Sequence, residues 1–196
     1  MRQMDGYDKV QAQDGNFERL PAGGYVCAIK SARVEASKNG NDLLIVAFDI
    51  IEGDHQGHFQ KDFDRRKGAQ RPGYANEAKW GGVYRQLLCG KDGLPNPFFK
   101  GMMVAIENSN PGYKWDWNEG ALKGKRIGFV FGDEEYLSQK GDVRTIAKPR
   151  WPRSVDEIRK GVTPPPLKTL SGASGAATTG STMNGFTQVD DEVLPF

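Results

Sequence analysis

The first half of the chain alternates apolar and polar residues in a way that predicts antiparallel strands. Two segments rich in Val, Ile and aromatic residues, 24–37 and 43–51, flank the turn-forming residues 38–42, and this arrangement predicts a β-hairpin. After a second turn, alternation continues over 58–65 and predicts a third strand. One face of that strand would carry Phe59, Lys61, Phe63 and Arg65. The pattern therefore predicts a three-stranded meander.

The middle of the chain changes its period. Between residues 76 and 88, apolar residues recur every three or four positions, which predicts an amphipathic helix weakened by Gly81 and Gly82. The next apolar stretch, 98–107, fits a helix or a strand, and the pattern alone does not decide between them. At least one helix is therefore expected to interrupt the strands.

The remaining periodic segments complete a mainly β domain. Strands are predicted at 126–131 and 143–151, and Ser154 with Glu157 forms a capping-box pattern that predicts a short closing helix at 155–160. Five or more short strands with one or two helices fit a small mixed or closed β-barrel better than a parallel α/β sheet.

Composition separates the last 36 residues from this body. Residues 161–187 contain three consecutive prolines and then almost only Gly, Ala, Ser and Thr, so they cannot bury enough apolar surface to offset the entropy of ordering. We expect a disordered linker, with disorder from about residue 168. Residues 161–196 hold one base and three acids, so the body carries a net charge of +4 and the tail −2.

The cysteines and the hydropathy of the chain indicate the cellular compartment. The chain has two cysteines in apolar surroundings, Cys27 and Cys89, with no paired-cysteine motif, so neither a disulfide framework nor a zinc knuckle is expected. The longest apolar run, 43–48, is too short for a membrane span, and the N-terminus lacks the apolar core of a signal peptide. A soluble protein of a reducing cytoplasm, with no membrane partner, is expected.

The end of the chain carries the most specific motif. Residues 189–196 place three consecutive acids before a short apolar end that finishes in Pro-Phe. A partner pocket could enclose the terminal ring, while a basic group pairs with the α-carboxylate and a basic rim faces the acids. The residues expected to bind such a partner are Asp190, Asp191, Glu192, Leu194, Pro195 and Phe196.

This tail resembles the acidic C-terminal tip of bacterial single-stranded DNA-binding proteins, in which a Gly-rich linker precedes a run of Asp and a terminal Pro-Phe. Glu192 stands where that family usually has Asp, and Val193 is an additional apolar residue. The body lacks the N-terminal pattern of the cellular family, although 124–131 and 143–158 resemble phage or mobile-element proteins of the same presumed role. The resemblance implies that the tip docks onto replication, recombination and repair enzymes.

The resemblance also implies a fold and a function for the body. Residues 1–160 would form the binding domain, in which a five-stranded barrel of the oligonucleotide-binding (OB) type begins near residue 15. The linker at 161–187 and the interaction tip at 188–196 would follow. The protein would coat single-stranded DNA in a bacterial cell or a phage-infected host. Cellular members are usually tetramers, so a homo-oligomer is a possible state that this sequence leaves open.

Binding of single strands without sequence readout requires aromatic faces for stacking and a basic groove for phosphates. Basic and aromatic residues interleave in three segments, 59–85, 113–117 and 144–153. For each aromatic residue the alternative is a place in the core. The predicted DNA-binding residues are Phe59, Lys61, Phe63, Arg65, Arg66, Lys67, Arg71, Tyr74, Trp80, Arg85, Tyr113, Trp115, Trp117, Arg144, Lys148, Arg150, Trp151 and Arg153.

Two other function classes stay open. His55 and His58, with nearby aspartates, suggest a metal-dependent nuclease, but further ligands at a recognised spacing are absent from the sequence. No phosphate-binding loop or nucleophile motif occurs, so we expect no enzyme activity, no cofactor and no metal. A recombination-annealing or scaffold protein with a recruiting tail is the other alternative, and acceleration of complementary-strand pairing would distinguish it.

Overall fold

Five strands form one antiparallel sheet in the computed structural model, which describes residues 19–37, 40–68, 78–90, 92–138 and 140–170. The strand order is β3-β2-β1-β4-β5. The strands are β1 (Gly23–Ala36), β2 (Asp42–Ile50), β3 (Val83–Leu87), β4 (Arg126–Leu137) and β5 (Val143–Arg153). The helices in the described residues are α1 (His58–Gly68), α2 (Pro97–Ser109), α3 (Val155–Arg159) and a 3-10 helix at Glu119–Leu122.

The mainly β class is confirmed and four of the predicted strands are present, but the sheet takes its remaining strand, β3, from a segment predicted to be helical, and it does not close into a barrel. In the described residues β3 and β5 pair with one neighbour each and form two separate edges. One face of the sheet is covered by α1 and α2, whose buried side chains join those of the strands in the main core. These helices shield the apolar face that a barrel would shield by curling the sheet on itself.

The predicted β1–β2 hairpin is present, and the strands predicted at 126–131 and 143–151 pair with each other as β4 and β5. The β1–β2 pair runs from Cys27 opposite Ile50 to Ala36 opposite Asp42, with one register shift between Ile29 and Ser31. The β4–β5 pair extends further than the sequence pattern indicates, because the backbone pairing continues through the polar residues of β4 as far as Leu137.

The predicted third strand at 58–65 is wrong, because this segment forms helix α1. The carboxylate of Asp49 accepts a hydrogen bond from the backbone N–H of Phe59 (3.0 Å) and thereby satisfies a free donor at the helix start. Phe59 and Phe63 lie one helical turn apart, and they contact Phe48 and Trp80 at ring-centroid distances of 5.4 and 5.7 Å. Aromatic residues four positions apart therefore satisfy a helix as well as a strand.

The predicted helix at 76–88 is also wrong, since its second half is strand β3. The backbone of Gly82 accepts a hydrogen bond from the N–H of Phe48 (2.8 Å) and extends the pairing of β2 with β3. A Cβ atom on Gly82 would lie 2.3 Å from the carbonyl oxygen of Phe48, so this close backbone approach requires glycine.

The undecided stretch 98–107 lies within helix α2. The side chain of Asn96 accepts a hydrogen bond from the N–H of Phe98 (2.9 Å), and Pro97 occupies the first turn, where its missing N–H has no cost. Phe99, Met102, Met103 and Ile106 form its buried face, at the three- and four-residue spacing of a helix packed on a sheet.

The opposite face of the sheet is covered only in part. Helix α3 begins at the predicted capping box, in which the Ser154 N–H donates to the Glu157 carboxylate (2.8 Å), and it packs on Val26 and Val130. Residues 161–170 follow it and lie along β4, where the Lys168 N–H donates to the carbonyl oxygen of Asp133 (3.0 Å). This first part of the predicted linker is therefore in contact with the sheet, and 171–187 lie outside the described residues.

Candidate nucleic-acid interface

A groove of about 520 Å³ lies on the uncovered face of β1, β2 and β3, and we call it the basic groove. Its floor consists of the apolar side chains of Ile45, Ala47 and Val83. Its walls carry three cations, one aromatic ring and two further polar groups. These wall residues are Lys30, Ser31, Arg33, Gln60, Trp80 and Arg85.

The strand register places two arginines on opposite sides of the apolar floor. Ile45 in β2 lies opposite Arg33 in β1 and opposite Arg85 in β3, so the three residues form one row across the sheet. Because neighbouring strands lie about 4.8 Å apart, the two arginine backbones lie roughly 10 Å apart. The next row, Ser31, Ala47 and Val83, continues the same floor.

A β-bulge brings Lys30 into the groove. The register of β1 against β2 shifts between Ile29 and Ser31, so Lys30 is the additional residue in β1. Bulges of this kind redirect a side chain without ending the strand. Lys30 is exposed, and no carboxylate within ion-pair distance of it or of Arg85 occurs among the described residues. Arg33 forms an ion pair with Glu35.

Trp80 forms the aromatic wall of the basic groove and has a fixed orientation. Its indole N–H donates to the carbonyl oxygen of Phe48 (3.0 Å), and its ring packs against Phe63 and the main core. The ring is half-buried, so part of it stays accessible from the groove. A positioned, partly exposed ring beside cations is the arrangement that stacks on an unpaired base.

The predicted strand face with Phe59, Lys61, Phe63 and Arg65 does not form, because these residues lie in helix α1. Phe59 is buried, and Arg65 and Arg66 both form ion pairs with Asp62, at 2.6 and 2.7 Å. Lys61 and Lys67 are exposed on α1. Helical geometry points these side chains in several directions, whereas the predicted strand would have aligned them on one face.

The segment 113–117 is a loop, and it lies against the other face of the sheet from the basic groove. Tyr113 and Trp115 pack on the main core beside α2, and the amino group of Lys125 lies 4.5 Å from the Tyr113 ring centre. Trp117 is 72% exposed and has a positive φ of 64°, which is uncommon for a residue with a side chain. This loop therefore does not line the basic groove.

The basic residues of β5 lie at the opposite edge of the sheet from β3. Arg150 and Lys148 surround Glu134, with nitrogen–oxygen distances of 2.8 and 3.7 Å, and Lys168 completes the cluster at 3.5 Å. Burial opposes ionisation of Glu134, but the three cations outweigh it and lower the pKa of that carboxyl group. Two of these predicted DNA contacts are thus already engaged within the protein.

The other predicted DNA-binding residues of β5 do not belong to the Glu134 cluster. Arg144 lies 3.9 Å from Asp142, Trp151 is 37% exposed, and Arg153 donates a hydrogen bond to the carbonyl oxygen of Pro152. Predicted contacts Arg71 and Tyr74, and the whole C-terminal tip, lie outside the described residues.

Of the predicted binding residues, the structure brings Trp80 and Arg85 together in one groove, and sequence analysis missed their partners there. Lys30 and Arg33 lie in a strand whose alternation indicated core structure, and no aromatic residue lies close to them in sequence. Cross-strand register, which sequence alone does not fix, joins them to Arg85. No group of three His, Cys, Asp or Glu side chains that could hold a metal ion occurs in the described residues.

A family model matches part of the chain. The family model described as a protein of unknown function (DUF669) matches residues 5–66, which include β1, β2 and most of α1. The search of curated proteins found no match. In the part of the chain that the structure describes, no helix is long and apolar enough to cross a membrane.

Proposed function

We propose that this protein binds single-stranded DNA without reading its sequence and that the strand lies in the basic groove. The observation that carries the proposal is the row formed by Arg33, Ile45 and Arg85, with Trp80 and Lys30 beside it. The cations would neutralise phosphates on both sides of the strand, and the apolar floor would receive bases.

The chemistry of the groove favours unpaired over paired strands. A duplex keeps its base faces stacked inside, so it would offer phosphates to the arginines but no base face to Trp80. An unpaired strand offers both. Stacking on Trp80 and neutralisation of phosphates by the groove cations require no particular base, which is consistent with binding that tolerates any sequence.

The C-terminal tail adds a second part to the proposed function, the recruitment of partner enzymes. The protein would coat single strands during replication or recombination, while the tip at 188–196 recruits partner enzymes. A peptide that ends in Pro-Phe behind three acids has the apolar anchor and the charge that such recruitment needs. Removal of Phe196 alone should abolish partner capture and leave oligonucleotide affinity within about twofold of wild type.

Charge reversal in the groove tests the proposal. Lys30→Glu and Arg85→Glu should each lower the affinity for a labelled oligo-dT by about tenfold or more at low salt, and should reduce the slope of log affinity against log salt. The matched control is Lys100→Glu, which makes the same charge change on the exposed side of α2. Thermal unfolding of each variant checks that the fold is retained.

Two outcomes would contradict the proposal. Absence of oligo-dT binding by the wild-type chain at low salt would remove the function itself. An equal loss in the Lys100 variant would show that net charge, and not the groove, controls affinity. Acceleration of complementary-strand pairing by the wild-type protein would favour the annealing alternative.

A further inference from the structure

Strand β5 leaves a row of backbone hydrogen-bonding groups facing away from the sheet. The N–H of Ser138 donates to the carbonyl oxygen of Asp142 (2.9 Å), so the backbone groups of Asp142 point toward β4. The same holds for every second residue along β5. The intervening residues, Val143, Thr145 and Ala147, must therefore direct their N–H and C=O groups outward. In the described part of the chain β5 pairs with β4 alone.

The contacts of β4 support this alternation independently. Glu135, opposite Thr145, donates its N–H to Lys168 (2.9 Å), and Asp133, opposite Ala147, accepts from Lys168. Glu135 and Asp133 thus turn their backbone groups away from β5, as residues of a non-hydrogen-bonded antiparallel pair do.

The free end of the β4–β5 hairpin is unusually apolar for a surface. Leu137 and Val143 lie opposite each other and are 62% and 58% exposed. Tyr136 and Ile146 lie on the other face, at 40% and 42% exposure. Apolar residues exposed on both faces of a projecting hairpin, next to an unpaired edge, are typical of an interaction surface.

We propose that a second copy of this chain pairs with this edge, so that two β5 strands lie antiparallel about a twofold axis at Thr145. Outward-facing residues must lie opposite one another, which leaves only a few registers. In the proposed register Thr145 faces its own copy, Val143 faces Ala147 and Arg144 faces Ile146. The remaining pair joins Asp142 of one copy to Lys148 of the other.

Charge disfavours the two registers next to this one. A shift that centres the axis on Arg144 places two arginines opposite each other, and a shift that centres it on Ile146 places Arg144 opposite Lys148. Both registers bring like charges together, whereas the register centred on Thr145 creates two opposite-charge pairs. Pro149 lacks an N–H and ends the available edge beyond Lys148.

The same register also covers the exposed apolar residues. On one face, Leu137, Val143 and the partner copy's alanine form a continuous row across three strands. On the other face, Tyr136 and Arg144 meet the isoleucine of the second copy. The basic groove lies toward the opposite edge of the sheet, on β1 to β3, so this pairing leaves it open and does not depend on nucleic-acid binding.

Charge exchange and cross-linking of the full chain test the proposal. Sedimentation should show a dimer that Asp142→Lys weakens by about tenfold, because two like-charge pairs replace two opposite-charge pairs. The double variant Asp142→Lys with Lys148→Asp should recover the dimer, and thermal unfolding must show that it keeps the fold, because the second change also removes a cation from beside Glu134. Under oxidation Thr145→Cys should form a disulfide across the axis, where the Cα atoms would lie about 5.5 Å apart.

The controls address the native cysteines and the fold. Val34→Cys, an exposed position on β1, should not cross-link, and neither should the wild-type chain, whose Cys27 is buried and Cys89 half-buried. A wild-type protein that sediments as a monomer would overturn the proposal. So would a dimer that the Asp142 change leaves intact and that Thr145→Cys does not cross-link.

Discussion

Trp80 is the residue on which the proposed binding mode depends most. Its indole N–H is held by the carbonyl oxygen of Phe48, so the ring reaches the groove in one orientation without further ordering. Trp117 provides a useful contrast, because it is far more exposed but lies in the loop on the other face of the sheet. The two residues represent two different surfaces on which bases could stack.

Substitution of these two residues should separate the surfaces. Trp80→Ala should cost about 1–3 kcal/mol of oligo-dT binding free energy through the loss of one stacked base, whereas Trp80→Phe should retain most of the binding. Trp117→Ala should leave the affinity unchanged. Fluorescence anisotropy of a labelled oligonucleotide measures each effect, and a larger loss in the Trp117 variant would move the strand to the loop.

Glu134 is the residue whose ionisation should matter most for stability. Its pKa is lowered from the usual 4.5 in the folded state, since Lys148, Arg150 and Lys168 outweigh the opposing effect of burial. A lowered folded-state pKa stabilises the fold above the unfolded value, and that stabilisation is lost as the pH falls through the folded value.

A Glu134→Gln variant should therefore unfold more easily than wild type at neutral pH, by roughly 1–2 kcal/mol, and the difference should shrink below about pH 4.5. Urea unfolding at a series of pH values measures it. Glu119→Gln, a change at a carboxylate without an ion-pair partner among the described residues, is the control. A difference that grows as the pH falls would contradict this account of the Glu134 cluster.

Among the helices and strands, the sequence correctly predicts those whose pattern of apolar and polar residues fits only one kind of element. The β1–β2 hairpin and the capping box of α3 are of this kind. The segment of α1 was predicted to be a strand and the segment of β3 a helix, and both errors have a physical reason. The spacing of Phe59 and Phe63 suits either period, and Gly82 serves a backbone contact with Phe48, a residue distant in sequence. Long-range contacts of this kind decide between elements but leave no local signal.

Two glycines distinguish the role of close packing from that of helix propensity. Gly82→Ala should destabilise the protein by about 1–3 kcal/mol, because the new methyl group would overlap the carbonyl oxygen of Phe48. Gly101→Ala, inside α2 with no atom within 4 Å of the added carbon, should stabilise it by about 0.5–1 kcal/mol. Thermal or urea unfolding compares them, and equal effects of the same sign would contradict the backbone contact at Gly82.

At the scale of the whole molecule, the sequence predicts the chemistry of the candidate site better than its location. Basic and aromatic residues were expected to share a surface, and Trp80 and Arg85 do so. Their companions Lys30 and Arg33 come from a distant strand through a register and a bulge that no local pattern shows. Conversely, Arg150 and Lys148 fit the pattern but are engaged by Glu134.

On the proposed function, the open sheet binds single-stranded DNA on its uncovered face. The most direct test is the intrinsic tryptophan fluorescence of the full chain during titration with oligo-dT at two salt concentrations. The proposal predicts saturable quenching at low salt and a clear loss of affinity at high salt, because stacking involves Trp80 and neutralised phosphates release counterions. Absence of both quenching and binding at low salt would contradict it.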